Sequence, residues 1–471
     1  MNNLATPSDD HRIRNRVLSI VLCAYLMIIL DISIVITGLP DIQGELGFSA
    51  VALSWVQNAY LLCFGGFLLL AARAGDLLGR KRMLVIGLAV FTASSLFIGL
   101  ADTPAALITA RAVQGVGAAI LAPSVLALIA AHFSEGEPRT HALAYYSMVA
   151  GAGSALGLVL GGYFAGEVSW RVGFFMNVPI GLVLMFCAAR AVPETERHTG
   201  AFDLPGALTS TLGMISLVFG IVESAEYGWA SRHSLLPLAV GAALMAAFVQ
   251  IERHAVQPIM PLRLFASRQR TGANLARMLF LGGMVSFFYF STQLLQRVLG
   301  FSPFQAGLSF LPFSAMTFIA AMKVPALTRR IGNARLLSFA LVTTATGLLW
   351  LAQAGPEANF LVDIALPMTM IGLGNGAALG PLTVAGVTGV APRDQGAASG
   401  IVNAFHQLGG SLGLGILIVV FASVDAGGLT GLPLLTHRID TALLGAGAML
   451  TLSLITVMLL VVPAEQARTA I

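Results

Sequence analysis

The sequence predicts an all-α polytopic membrane protein: two six-helix bundles plus two inserted helices, about 14 spans in all. Three observations carry that reading. Of 471 residues, 57% are hydrophobic and only 10% are charged, against roughly 25% charged in ordinary globular domains. Apolar windows of about 20 residues, the length that crosses a bilayer as a helix, recur along the whole chain. The third is an internal repeat. GRKRMLVIGLAVFTASSLFIGLA from Gly79 resembles GNARLLSFALVTTATGLLWLAQA from Gly332, with Gly79, Arg82 and Leu84 matching Gly332, Arg335 and Leu337. Further on, Pro138-Arg139 matches Pro392-Arg393, and Gly153-Ser154 matches Gly410-Ser411.

A polar tail, residues 1–16, precedes the first span, 17–39. That run is longer than the ~7–15 apolar residues of a signal peptide and has no clear cleavage site, so an uncleaved helix is expected. Spans at 51–72, 83–101, 104–130, 141–165 and 172–192 complete a first bundle, 17–192. The stretch 193–270 is read as a linker carrying two inserted spans, 204–224 and 234–252. Spans at 271–296, 303–325, 334–354, 359–383, 396–424 and 440–463 form the second bundle, 271–463, and 464–471 is a second tail. The 51 glycines suit close helix contact in lipid. Cys23, Cys63 and Cys187 lie inside apolar spans, so they read as packing residues without a disulfide framework.

An even number of spans puts both termini on one face. Nineteen of the 26 basic residues fall on that face, among them Arg80, Lys81, Arg82, Arg139, Arg197, Arg329, Arg330, Arg335 and Arg393. Arg171, Arg232, Arg297 and Arg438 fall on the other. The bias predicts cytoplasmic termini in an inner (plasma) membrane. The net charge of +4 is scattered over short loops, which argues against a nucleic-acid surface. No G-x-x-x-x-G-K-[ST] occurs, so nucleotide drive is not expected.

Asp31 stands alone in the apolar run VLSIVLCAYLMIILDISIVITGL. An ionised side chain inside a span costs at least ~2.5–3.5 kcal/mol on insertion scales, so a carboxylate there needs a compensating role. At ~1.5 Å per residue Asp31 lies about 21 Å deep. Arg111 enters from the other face by ~10 Å in a core ~30 Å thick, so the two reach similar depths and could meet. Desolvation favours the protonated acid and a neighbouring Arg favours the ionised one; a carboxylate balanced between them exchanges protons near neutral pH. A permanent structural ion pair is the alternative. His406 is a second mid-span titratable group, ~15 Å into its helix, either a coupling residue or a neutral histidine satisfied between helices. Arg277 and Lys323, near the basic face, are expected to snorkel. In the run Phe287–Phe290, lipid-facing packing is expected for most of the rings. Two repeated halves related by an axis along the membrane normal are a transporter signature, with the substrate site near the midplane between them.

At this point several motifs occur in register. LDISIVITGLP (Leu30–Pro40), WVQNAYLL (Trp55–Leu62), ARAGDLLGRKRM (Ala72–Met83), RAVQGVGAA (Arg111–Ala119), GSALGLVLGG (Gly153–Gly162) and SWRVGFFMNVPIG (Ser169–Gly181) follow one another along the chain. They resemble the major facilitator superfamily, and within it the fourteen-helix drug/proton antiporters of the QacA/EmrB type. Ala72, Leu77 and Leu158 depart from the family pattern, and the second-half loop PALTRRIG has Arg329 where an acid would stand.

The resemblance implies the major facilitator fold and proton-coupled export of lipophilic, cationic compounds by alternating access. It implies no enzyme activity, no metal and no cofactor beyond the proton gradient. It puts the family's first-helix acid on Asp31 and implies a gate at Asp76, Gly79 and Arg80. On the residues themselves, proton and substrate coupling is expected of Asp31, Arg111 and His406, the last at a point where related antiporters commonly have Arg, and cavity positions of Asn58, Gln114 and Tyr289. The expected partners are small lipophilic substrates, protons and the bilayer; a monomer is expected, and a periplasmic adaptor is left open. Two other readings stay open: an exporter of anionic or neutral metabolites using Arg111 and Lys323, and a non-transporting membrane sensor.

Overall fold

The computed structural model describes residues 7–133, 137–195, 203–255, 257–391, 394–425 and 427–469. Arg197, Pro392 and Arg393, used above for charge and repeat, lie outside them. Among the described residues, 14 helices are long and apolar enough to cross a membrane. They are α1 (Arg14–Leu46), α2 (Ala52–Leu78), α3 (Arg80–Gly99), α4 (Pro104–His132), α5 (Glu137–Val168), α6 (Trp170–Ala191), α7 (Leu204–Tyr227), α8 (Arg232–His254), α9 (Arg268–Val298), α10 (Pro303–Ile331), α11 (Asn333–Leu351), α12 (Phe360–Val387), α13 (Gln395–Ser423) and α14 (Gly431–Gln466). Each expected span has its counterpart, so the chain is a multi-pass membrane protein.

Local sequence sets the ends. Thr103 caps α4, accepting from Ala106 N at 3.3 Å, with Pro104 opening the first turn where its missing N–H is harmless. At α10, Ser302 and Gln305 form a reciprocal capping box before Pro303 and the apolar run. Where α1 ends and α6 begins, Glu45 accepts from Trp170 Nε1 at 2.6 Å and from Arg171 at 2.8 Å.

Helices α1–α6 and α9–α14 form the two halves, meeting along α2 with α13 and along α5 with α10. The inserted pair α7–α8 packs on itself and lies against α2 and α13 at that seam. Toward the face opposite the termini the halves interlock. Gln296 Nε2 donates to Thr37 O at 2.8 Å, and Tyr289 OH donates to Ala50 O at 3.3 Å. Gly307 of α10 lies so close to Leu158 of α5 that a Cβ there would sit 2.5 Å from the Leu158 carbonyl oxygen. Toward the face carrying the termini, α10 separates from α5 beyond Phe318, whose ring abuts Gly151. From Ala321 to Ile331, every α10 residue except Val324 and Thr328 is exposed. The molecule is closed on one side and cleft on the other.

The Phe287–Phe290 run is not a lipid-facing stripe. Phe287, Tyr289 and Phe290 are buried, and the rings pack on Phe310, Phe313 and Phe421. A 31-residue helix flanked by α12, α13 and α14 and touching α1 has little surface left for lipid.

Candidate functional site

Five helices of the first half bring their polar side chains to one point. Asp31 of α1 is 1% exposed and Arg111 of α4 is fully buried. Arg111 Nη1 donates to Asp31 Oδ2 at 2.7 Å. The other carboxylate oxygen accepts from Gln114 Nε2 at 2.7 Å and from Asn177 Nδ2, on α6, at 3.0 Å. Arg111 also donates to Gln114 Oε1 at 2.6 Å and to the Val56 carbonyl of α2 at 3.0 Å. Gln114 in turn donates to Ser95 Oγ of α3 at 2.8 Å. The guanidinium lies over the Tyr60 ring, 4.3 Å from its centre, a cation–π contact that desolvation strengthens.

Helix geometry explains the convergence. Arg111 and Gln114 are three residues apart, hence on one face of α4. Gly115 lets that face approach α2: a Cβ there would lie 3.1 Å from the Cys63 Cβ. The carboxylate thus receives three hydrogen bonds, one from a cation, in a dry site where each is strong and loss of any is expensive. Arg111 Nη2, Asn177 Oδ1 and Tyr60 OH are buried without partners, so the network has unused hydrogen-bonding capacity. Gln114, expected to line the cavity, is a ligand of Asp31 and fully buried. The network lies inside one bundle and not in the cleft between the two.

Asn58 is elsewhere, on the seam: its Oδ1 accepts from Ser411 Oγ of α13 at 2.9 Å, joining the halves. Tyr289 sits near the closed face beside Gln43, Gln293 and Arg297. In the second half, Arg277 does not snorkel. It is 6% exposed, with Nη1 donating to Thr383 Oγ1 of α12 at 2.8 Å and Nη2 3.2 Å from His406 Nδ1 of α13. The physical reason is rotational: its helix face points at α12 and α13, and a hydroxyl and an imidazole supply acceptors nearer than the headgroups. His406 therefore belongs to a basic cluster. Lys323 is exposed.

The loop after α2 holds the expected gate residues. Asp76 and Arg80 form an ion pair one turn apart, and Arg80 also donates to Ala72 O at 3.0 Å. Gly79 turns the chain with φ +103°, a conformation only glycine adopts freely. A second acid caps the N-terminus of α3. Glu194 Oε1 accepts from Lys81 N at 3.1 Å, and Thr195 Oγ1 accepts from Arg80 N at 3.2 Å. The second half repeats the device: Gly332 has φ +86°, and Glu465 Oε1 accepts from Asn333 N at 3.2 Å and Ala334 N at 3.3 Å, at the start of α11. Sequence reasoning passed over both, placing Glu194 in the linker and Glu465 in a tail. The available signal was a carboxylate after the sixth helix of each half. Each cap contributes ~0.5–2 kcal/mol by hydrogen bonding and dipole interaction. Glu194→Ala and Glu465→Ala should each lower the thermal midpoint of the detergent-solubilised protein by a few degrees, followed by tryptophan fluorescence. An unchanged midpoint in both would show that these contacts hold nothing.

Two repeated six-helix halves, a cleft open at one face and a charged network enclosed in apolar helices together define a membrane transporter. The model of the Major Facilitator Superfamily matches residues 21–414, and the chain belongs to that superfamily. Its relatives include the cephamycin export protein CmcT of Amycolatopsis lactamdurans, 38% identical over 86% of this chain and 84% of that one. The puromycin resistance protein pur8 of Streptomyces alboniger is 35% identical over 87% and 82%, respectively. The tetracenomycin C resistance and export protein of Streptomyces glaucescens is 31% identical over 84% and 74%. These are antibiotic export and resistance proteins, in keeping with the drug-efflux branch. Among solved structures, the POT family transporter PepTSo superposes with a TM-score of 0.68 at 12% identity, covering 95% of this chain and 98% of that one. A bacterial Spinster homologue, inward-facing and occupied, gives 0.66 at 14% identity over 96% and 97%. Both show the fold.

Proposed function

We propose that this protein exports lipophilic compounds across the inner membrane in exchange for protons, with both termini cytoplasmic and the cleft of this structure facing the cytoplasm. The single observation that carries the coupling half is the Asp31 network. It is a lone carboxylate in a membrane span, held by Arg111, Gln114 and Asn177 with unused hydrogen-bonding capacity around it. Protonation removes the charge that Arg111 holds, loosening contacts among α1, α4 and α6, and so biases one arrangement of the halves against the other. Export, and antibiotic-like compounds as cargo, rest on the relatives. The expected preference for cations belongs to a state in which the carboxylate leaves Arg111 and meets substrate; in the present state it is enclosed. His406 is a secondary coupling candidate through its contact with Arg277.

Purified protein in liposomes tests this. Substrate should move uphill when a proton gradient is imposed and equilibrate only when it is collapsed. Equal uphill flux without the gradient would sink proton coupling. A panel of monovalent cationic, divalent cationic, anionic and neutral compounds in a pump-deficient strain gives the range.

The gate is tested separately. Asp76 lies where α2 meets the loop at the cleft face and pairs within its own loop here. Asp76→Ala should slow turnover several-fold with substrate affinity nearly unchanged, because it alters the balance between states and leaves the cavity intact. A collapse of affinity at unchanged turnover would remove Asp76 from the gate.

A further inference from the structure

The two halves treat their buried arginines differently. Arg111 has its acid in the chain, Asp31 at 2.7 Å. Arg277 lies nine residues into α9, about 14 Å from its start, and among the described residues no carboxylate pairs with it. Its partners are a hydroxyl and an imidazole, both neutral, and its Nε is buried without a partner. A guanidinium cannot be deprotonated at working pH, and an unneutralised one in a membrane span is costly.

The hydrogen bonds fix the sense of the cluster. Arginine only donates, so His406 Nδ1 accepts and the imidazole proton sits on Nε2 as a further donor. Thr383 Oγ1 accepts from Arg277 and donates back to Leu379 O at 2.8 Å. A cation and an N–H donor are therefore left for a ligand, and no acceptor. The group lies just beneath a surface: Thr383 is exposed and His406 partly so, with Arg277 behind them at 6% exposure. It also borders the seam, since Gln407, the next residue, packs against Gly65 of α2, where a Cβ would lie 2.8 Å from its own Cβ.

We infer that Arg277 and His406 form an anion subsite that takes the carboxylate of a lipophilic substrate, the acid that Arg277 lacks among the described residues being brought by the cargo. This deepens, and rests on, the export reading. A planar carboxylate matches the guanidinium fork and would turn an uncompensated buried charge into a pair. Monoanions with an apolar body, and zwitterions, are the classes it favours.

The test measures binding to purified protein without any gradient, so it stands or falls separately from uphill flux. The probes are 1-naphthaleneacetate and its methyl ester, which share an apolar body and differ in charge, in gluconate buffer. Wild type should bind the acid about tenfold or more tighter than the ester, the usual worth of a charge-assisted contact. Arg277→Gln should erase that difference while leaving ester binding alone, and Arg277→Lys should keep part of it. Equal binding of acid and ester by wild type overturns the inference without recourse to any variant. So does equal loss of both ligands in Arg277→Gln, which would mark a structural residue. Displacement of the acid by inorganic phosphate at similar concentration would assign the cluster to a small free anion and likewise overturn it.

Discussion

Replacing Asp31 with Asn should abolish accumulation of substrate against a gradient, a loss of 100-fold or more, while the protein still inserts and binds. Asn keeps the shape, and its oxygen still accepts from Gln114 and Asn177, which hold the carboxylate at 2.7 and 3.0 Å. What it removes is the only titratable acid of the network, and with it the charge that holds Arg111. Downhill exchange, which needs the halves to move but no proton to be carried, should persist and serves as the folding control. The measurement is paired: uphill flux driven by a proton gradient, and downhill counterflow in the same liposomes. Uphill export at wild-type rates by the Asn variant would exclude Asp31 as the proton carrier.

Arg111→Ala should be nearly as severe, with a different signature. It strands a carboxylate that is 1% exposed, and breaking one side of a buried pair costs ~3–5 kcal/mol. The stranded acid relieves this by keeping its proton to higher pH. The variant should therefore be least stable in alkali, regain stability as pH falls and the acid neutralises, and show its residual transport optimum shifted to the alkaline side of wild type. The double variant with Asp31→Asn should be no worse than Asp31→Asn alone, because residues in one network are not additive. An unmoved pH profile with additive losses would mean that Arg111 acts through packing on Tyr60 and Val56.

Depth was legible in the sequence and rotation was not. Helix rise and bilayer thickness alone put Asp31 and Arg111 at the same level, and they touch. Which neighbours complete the network depends on how each helix turns about its axis. In spans apolar on every side the hydropathy pattern carries no such phase. Ser95, Tyr60 and Asn177 therefore passed without a role although Tyr60 and Asn177 stand in quoted motifs, and Gln114 was given to the cavity. Arg277 failed for the same reason: its depth suggested the headgroups, and its azimuth gave it His406 and Thr383. Glu194 and Glu465 were missed because a carboxylate just past a span is ordinary; only the folded chain brings each back to the start of the third helix of its half. The fourteen spans and the doubling were readable because length and repetition survive without knowledge of packing.

The Asp31–Arg111 pair also sits within the electric field of the membrane. Ionised, it carries no net charge; protonated, it carries one positive charge, and each charge moved through 100 mV is worth ~2.3 kcal/mol. If one proton enters per cycle, expelling a monovalent cation moves no net charge and expelling a neutral molecule moves one. Expelling a carboxylate moves two, both in the direction that a potential negative on the cytoplasmic side favours. Voltage would then sort substrates that the cavity binds equally well: acids would leave an energised membrane fastest and slow down when it is depolarised, while the export of bases would be indifferent to the potential.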